Sequence, residues 1–108
     1  FGISCHGFPP MEAAAESDWP EVQLVRINPY GAMMDAEPEK VVPLLKKMHA
    51  KGRGLIGMKI FGESGFDSRE KRAESIKYVL GLGCIDCFTI GFKNIEELDE
   101  TMELIEKA

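Results

Sequence analysis

The chain has 108 residues, 44% hydrophobic, 29% charged and 8% aromatic, with too many apolar residues for disorder and too few for a membrane protein. The length allows one domain with a modest core and excludes a complete eight-stranded α/β barrel, which needs about 200 residues or more. Thirteen Lys and Arg against eighteen Asp and Glu leave a net charge of −5 with no basic run, which argues against a nucleic-acid partner, and no apolar stretch approaches the roughly 20 residues of a membrane helix.

The first predicted element is a strand over residues 1–5, followed by a short helix over 11–16 that Ala13, Ala14 and Ala15 favour. A second strand spans 22–27. Over 39–51, Val41, Leu44, Leu45 and Met48 paint one face of a helix. Pro43 has no N–H to donate and belongs in a first turn, which sets the regular helix near Val41; Gly52 suits the left-handed position after its end. A third strand covers 55–61, after which Asp67 or Ser68 caps a helix through Arg72, Ile76, Val79 and Leu80, stopped by Gly81 and Gly83. A fourth strand covers 87–92. Asn94 and Glu97 then form a capping box, with the Glu97 carboxylate reaching back to the Asn94 N–H. The last helix, Ile95–Lys107, carries Leu98, Met102 and Ile105 on one side, and its acidic start and terminal Lys107 suit the helix dipole.

Single strands alternate with single helices, and the last three strands start roughly 32 residues apart, which predicts an α/β fold of four βα units with a parallel sheet and right-handed crossovers. No Ser-rich or Pro-rich linker divides residues 1–108, so one domain is expected. Three cysteines, an odd count without the density of a disulfide scaffold, point to a reducing, cytoplasmic setting. Cys84 and Cys87 make a CxxC pair, but it follows a helix and enters a strand, so no helix N-terminus lowers a thiol pKa. Cys5 and His6, which would complete a zinc set, fall at the opposite rim, so no metal is expected and the pair reads as small hydrophobes. The chain opens on Phe1 with no signal-peptide pattern, and is expected to be processed or part of a longer protein.

In a parallel α/β sheet, function gathers at the carboxyl ends of the strands. Strand alternation places Ser4 and His6 on one face, with Arg26 and Asn28 beside them, and Lys59 is expected to join them. Arg and Lys are uncommon in such positions unless paired or lining a ligand cavity. Arg26 either pairs with Asp35 or Glu63 and ties loops together, or serves a ligand; two cations, an imidazole and an amide exceed what packing needs. In the last loop, Gly91, Phe92, Lys93 and Asn94 bring backbone N–H groups and a cation to a helix start, a natural anion site that is also an ordinary glycine-and-cap turn. His49, inside the second long helix, reads as a surface residue.

Four ordered segments together resemble the C-terminal half of the aldo/keto reductase family. FGISCHG (1–7) is similar to the family's fifth strand, VQLVRINPY (22–30) to the sixth, GLIGMKIFG (54–62) to the seventh and TIGFKNIEEL (89–98) to the eighth and its cofactor loop. The resemblance implies half of a (β/α)8 barrel from an NAD(P)-dependent carbonyl oxidoreductase, whose catalytic residues come from the first four strands, so that no catalytic residue is assigned here. It implies cofactor contacts at Ser4, His6, Arg26, Asn28, Lys59, Gly91, Phe92, Lys93, Asn94 and Glu97. Cys5 stands where the family commonly has Asn, and His6 takes over. Leu24 stands at the position of the family's carboxamide-binding Gln, while alternation turns Gln23 away from the barrel interior, which favours Arg26 and Asn28. Thr101 replaces an adenine-binding Asn, and Glu97 puts a negative charge where a ribose 2′-phosphate would sit, so NAD is favoured over NADP.

The expected function is therefore the cofactor-binding half of an NAD(P)-dependent reductase acting on a small carbonyl substrate, without turnover by this chain alone. The alternative is a non-catalytic half-barrel that binds a ligand or partner, or a self-associating structural domain. The unpaired edges at 1–5 and 87–92 predict self-association or pairing with a missing N-terminal half.

Overall fold

Apolar residues at period two and period 3.6 alternate along this chain, and the local structure follows them. The computed structural model describes residues 1–108 as β1 (Gly2–Ser4), α1 (Phe8–Glu16), β2 (Val22–Arg26), α2 (Pro38–Ala50), β3 (Gly54–Met58), α3 (Arg69–Gly81), β4 (Cys87–Phe88) and α4 (Ile95–Lys107). The strands form one four-stranded parallel sheet in chain order, β1-β2-β3-β4. Its register places Ser4, Leu24, Ile56 and Cys87 side by side. The chain is thus an α/β fold of four βα units, and no helix is long and apolar enough to cross a membrane.

Along β2 and β3, Gln23, Val25, Leu55 and Gly57 are buried, whereas Leu24, Arg26, Ile56 and Met58 are only half-buried. The buried side packs Val25 and Leu55 with Met11 and Ala15 of α1, Val41, Leu45 and Met48 of α2, Ile76 and Val79 of α3 and Leu104 of α4 in a single core cluster. All four helices therefore cover one face, and the other is bare. Right-handed crossovers between neighbouring parallel strands produce this whenever the strand order never reverses.

Several boundaries differ from those predicted. Helix α1 begins at Phe8 rather than residue 11, because Pro9 and Pro10 fit the first turn, where N–H groups have no helical partner. Helix α2 begins at Pro38, which takes the first-turn role expected of Pro43. Pro43 lies in the second turn with its ring exposed, where it forgoes one helical hydrogen bond. Gly52 adopts the expected left-handed conformation (φ 87°), and His49 is exposed. Strand β3 stops at Met58 because Lys59 turns left-handed (φ 62°). Strand β4 is only two residues long; beside it the Asp86 carboxylate accepts the Leu55 N–H at 2.8 Å, while the Asp86 N–H donates to the Leu55 carbonyl at 3.0 Å. Cys84 is buried, and desolvation pushes its thiol pKa up; Cys87, expected as a small core hydrophobe, is exposed instead.

The amino-end rim is held by a cation that the sequence pattern does not reveal. Arg53, 4% exposed, donates to the carbonyls of Ala14 (2.9 Å) and Ser17 (2.6 Å) and to Gln23 Oε1 (3.2 Å). Lys51 Nζ donates to the Ala15 carbonyl at 2.8 Å. Two cations thus satisfy the orphan carbonyls at the negative end of α1. Gln23, turned away from the bare face as alternation predicts, donates to Cys5 Sγ at 3.4 Å. Replacing Arg53 with Ala strands these buried acceptors and is expected to lower stability by about 1–3 kcal/mol, read as a lower midpoint in urea denaturation; an unchanged midpoint would show that water replaces the guanidinium without cost.

Candidate functional site

All four loops leaving the carboxyl ends of the strands lie along one rim, and they form two neighbouring groups of side chains. At the ends of β1 and β2, Arg26 Nη1 donates to Asp35 Oδ1 at 2.8 Å and Arg26 Nη2 donates to His6 Nδ1 at 2.8 Å. The Gly7 N–H donates to the same Asp35 oxygen at 2.8 Å. The Arg26 and Asp35 side chains are 14% and 6% exposed, so the pair is largely desolvated and holds its geometry. A guanidinium only donates, so the imidazole nitrogen facing it must accept. Of the two readings of Arg26, its partner is Asp35, and the pair ties the β1–α1 loop to the β2–α2 loop. Ser4 stands exposed on the bare face of β1.

Asn28 is fully buried, and its amide is committed within the fold. Its Nδ2 donates to the carbonyls of Ala32 (2.8 Å) and Lys59 (3.0 Å), and its Oδ1 accepts the N–H groups of Tyr30 (3.0 Å) and Ala32 (3.1 Å). This closes the β2–α2 turn and binds it to the β3–α3 loop. Tyr30 adds a second tie: its hydroxyl donates to Glu74, its ring meets Phe66 edge-on at 5.0 Å, and Lys71 Nζ lies 5.7 Å over it. The Glu74 carboxylate holds the phenolic proton and raises its pKa.

The register corrects the expectation for Lys59. Arg26 pairs across the sheet with Met58, so simple alternation would send Lys59 to the opposite face from Arg26. The left-handed turn redirects it, and its Nζ meets Glu63 Oε1 at 2.7 Å, which lowers the Glu63 pKa. Glu63 (φ 59°) and Ser64 (φ 72°) are also left-handed. Between them and β3, Gly62 (φ 58°) admits no side chain, because a Cβ would come within 2.8 Å of Phe66.

These strained residues wall a cavity of about 710 Å³ between the β3–α3 loop, the β4–α4 loop and the start of α4. Of the cofactor contacts expected from the sequence, Lys59, Gly91, Phe92, Lys93 and Glu97 line it, together with Thr101. Asn94 stands beside it as the α4 cap, while Ser4, His6, Arg26 and Asn28 lie outside. The capping arrangement differs in one bond from that expected. Asn94 Oδ1 accepts the Glu97 N–H at 2.9 Å, but Glu97 Oε2 accepts from the Lys93 N–H at 2.8 Å rather than from Asn94. The carboxylate thus occupies a donor that an anion would use. Three cations in the wall, Lys59, Arg72 and Lys93, face four carboxylates, Glu63, Asp67, Glu97 and Glu100, and only Lys93 among those cations has no acidic partner.

Arg72 is a wall residue that sequence reasoning placed only on a helix face. Its Nε donates to Glu100 Oε1 at 2.7 Å and its Nη1 to the Phe66 carbonyl at 2.9 Å, joining α3, α4 and the loop. The Glu100 carboxyl pKa is lowered chiefly by the hydrogen bond to Arg72, as that of Arg72 is raised by Glu100. A depressed folded-state pKa means that the pair stabilises the fold above the ordinary carboxylate range and loses that contribution as pH falls through the lowered value. Thermal unfolding followed from neutral to acid pH should therefore show stability falling, and Glu100→Gln should flatten part of that slope; an identical slope in the variant would remove the pair from the pH response.

Comparison of the chain with protein-family models, with curated proteins and with solved structures finds no match.

Proposed function

We propose that the chain is the cofactor-binding half of an NAD(P)-dependent aldo/keto reductase barrel, with NAD preferred to NADP. The observation that carries this reading is the cavity at the carboxyl ends of β3 and β4, where Lys59, Glu63 and Ser64 adopt strained left-handed conformations beside the start of α4. Strain of this kind costs about 1–3 kcal/mol per residue and clusters at ligand sites. Strands paired in chain order with every helix on one face also suit half of an eight-stranded barrel, whose ligands bind at this rim.

The residues present fit a dinucleotide of limited charge. About 710 Å³ lies within the range of cofactor pockets. Lys93 offers a free ammonium to one phosphate, and Phe92, 41% exposed, offers an aromatic surface to a flat ring. The excess of one carboxylate in the wall, with Glu97 over the first turn of α4, disfavours an additional 2′-phosphate. Ser4, His6 and Arg26 lie at the ends of β1 and β2, where the family resemblance puts the carboxamide. Asp35 orients Arg26 there, and Asn28 acts by holding the turn. When bound, the nicotinamide supplies or accepts a hydride. The chain's own groups bind and orient, and the proton donor for a small carbonyl substrate belongs to the first half of the barrel.

Titration of the chain with NADH and NADPH, followed by nicotinamide fluorescence, tests this reading. Saturable binding with NADH the tighter is expected. Lys93→Ala should weaken both several-fold, Glu97→Gln should narrow the gap by favouring NADPH, and no carbonyl-dependent oxidation should occur. Absence of saturable binding to either dinucleotide would overturn the cofactor assignment, and tighter NADPH binding by the unmodified chain would overturn the charge argument.

A further inference from the structure

We propose that Arg26 and His6 form a carboxylate site, and that the carbonyl substrate of the reductase is a short oxo acid held there by its acid group. The role as a substrate site rests on the cofactor reading, but the residues stand apart from the cavity that carries that reading.

A guanidinium is a planar fork of N–H donors that accepts nothing. Arg26 commits one donor to Asp35 Oδ1 and one to the His6 imidazole, each at 2.8 Å, and no other acceptor in the chain meets it. Its side chain is 14% exposed, so the remaining donors have little water to bond, and donors left unmade in such a place are costly. Asp35, 6% exposed, shares its Oδ1 with the Gly7 N–H. It is a fixture of two loops that aims Arg26, and a ligand does not displace it. On the loop joining the two, Met33 is held left-handed (φ 58°) with its side chain exposed, a strain of the kind that gathers at ligand sites.

Shape and charge decide which acceptor fits. A carboxamide oxygen is neutral and needs no guanidinium, whereas a carboxylate brings two parallel acceptors and a charge, and matches the fork bidentately. Arg26 is balanced by Asp35, and the neighbouring Lys59 by Glu63. No local excess of positive charge draws in every anion, so the planar donors do the selecting. On the same face of the sheet, Leu24 lies two positions before Arg26, and Met58 lies beside Arg26 in the register; both are half-buried. Two strand positions span about 6.6 Å, room for a chain of a few carbons. Ser4, exposed and paired with Leu24, puts a hydroxyl at the far end of that span. A carboxylate at one end, a short apolar chain and a polar oxygen at the other describe an oxo acid.

NMR titration of the nitrogen-labelled chain with levulinate and with its uncharged methyl ester tests the proposal. Levulinate should give saturable shifts at Arg26 Nε and at the Gly7 amide, and the ester should bind roughly tenfold more weakly or worse. Arg26→Lys keeps a charge beside Asp35 but loses the fork, and should cost levulinate roughly tenfold. His6→Ala, at an exposed position, releases one side of Arg26 and should weaken binding several-fold without unfolding the chain. Lys46→Ala on exposed α2 surface should change nothing. Equal binding of acid and ester, or levulinate binding indifferent to both the Arg26 and His6 substitutions, overturns the site. Acetate binding as tightly as levulinate overturns the substrate class and leaves an anion contact only. NADH titrated into the same samples reads the cofactor site separately: NADH binding without levulinate binding overturns the carboxylate site alone, and levulinate binding without NADH binding overturns its role as a substrate site.

Discussion

Handedness constrains this chain before any side chain is chosen. A strand, a helix and a parallel neighbouring strand pack well only as a right-handed unit, and this chain repeats that unit three times without stepping back across the sheet. Every helix is then forced onto one face, every βα loop onto one rim, and one face of the sheet is left bare. The position of the cavity and the neighbourhood of Arg26 and His6 both follow from that repetition. A reversal of strand order would have divided the helices between two faces and put a ligand crevice in the middle of the sheet.

The two rims solve different problems. At the amino-end rim, Arg53 and Lys51 meet carbonyls at the end of α1, so cationic side chains complete a helix terminus and leave no buried polar side-chain atom unpartnered. At the carboxyl-end rim, most charges are paired side chain to side chain: Arg26 with Asp35, Lys59 with Glu63, Arg72 with Glu100. Such pairs gain less in net stability than their short distances suggest, because each must first be taken out of water. What they supply is fixed placement, and in that setting the unpaired ammonium of Lys93 is the distinctive group.

The helices and the strand starts were legible because periodicity and caps are local. Ser68 and Asn94 cap α3 and α4 as their types predict. The strand ends were not legible, since a left-handed Lys59 carries no signature in sequence and alternation loses its meaning beyond it. The Arg72–Glu100 contact spans 28 residues, and Arg53 meets acceptors 30 or more residues away, separations at which residue type says nothing about partners. Helix α4 illustrates a subtler gap. Its apolar stripe was visible, but Thr101 and Leu104 take the buried positions while Met102 remains exposed. The helix lies at the edge of the layer, where only part of an apolar stripe finds cover. The candidate site was legible as a set of loops and only half legible as a set of residues, because one left-handed turn and one buried amide decide what faces the cavity.

That amide has a dynamic consequence. Asn28 joins the β2–α2 turn to the carbonyl of Lys59, and Tyr30 leans on Phe66 and Glu74 from the same turn. The β2–α2 and β3–α3 loops therefore share one set of restraints, which is expected to make them move as a single body rather than as two independent flaps. Much of the conformational entropy that a ligand would otherwise have to remove from this wall has already been removed by folding. Motion introduced at Asn28, which stands behind the wall and not in it, would reach the cavity as lost preorganisation, with the wall's composition unchanged.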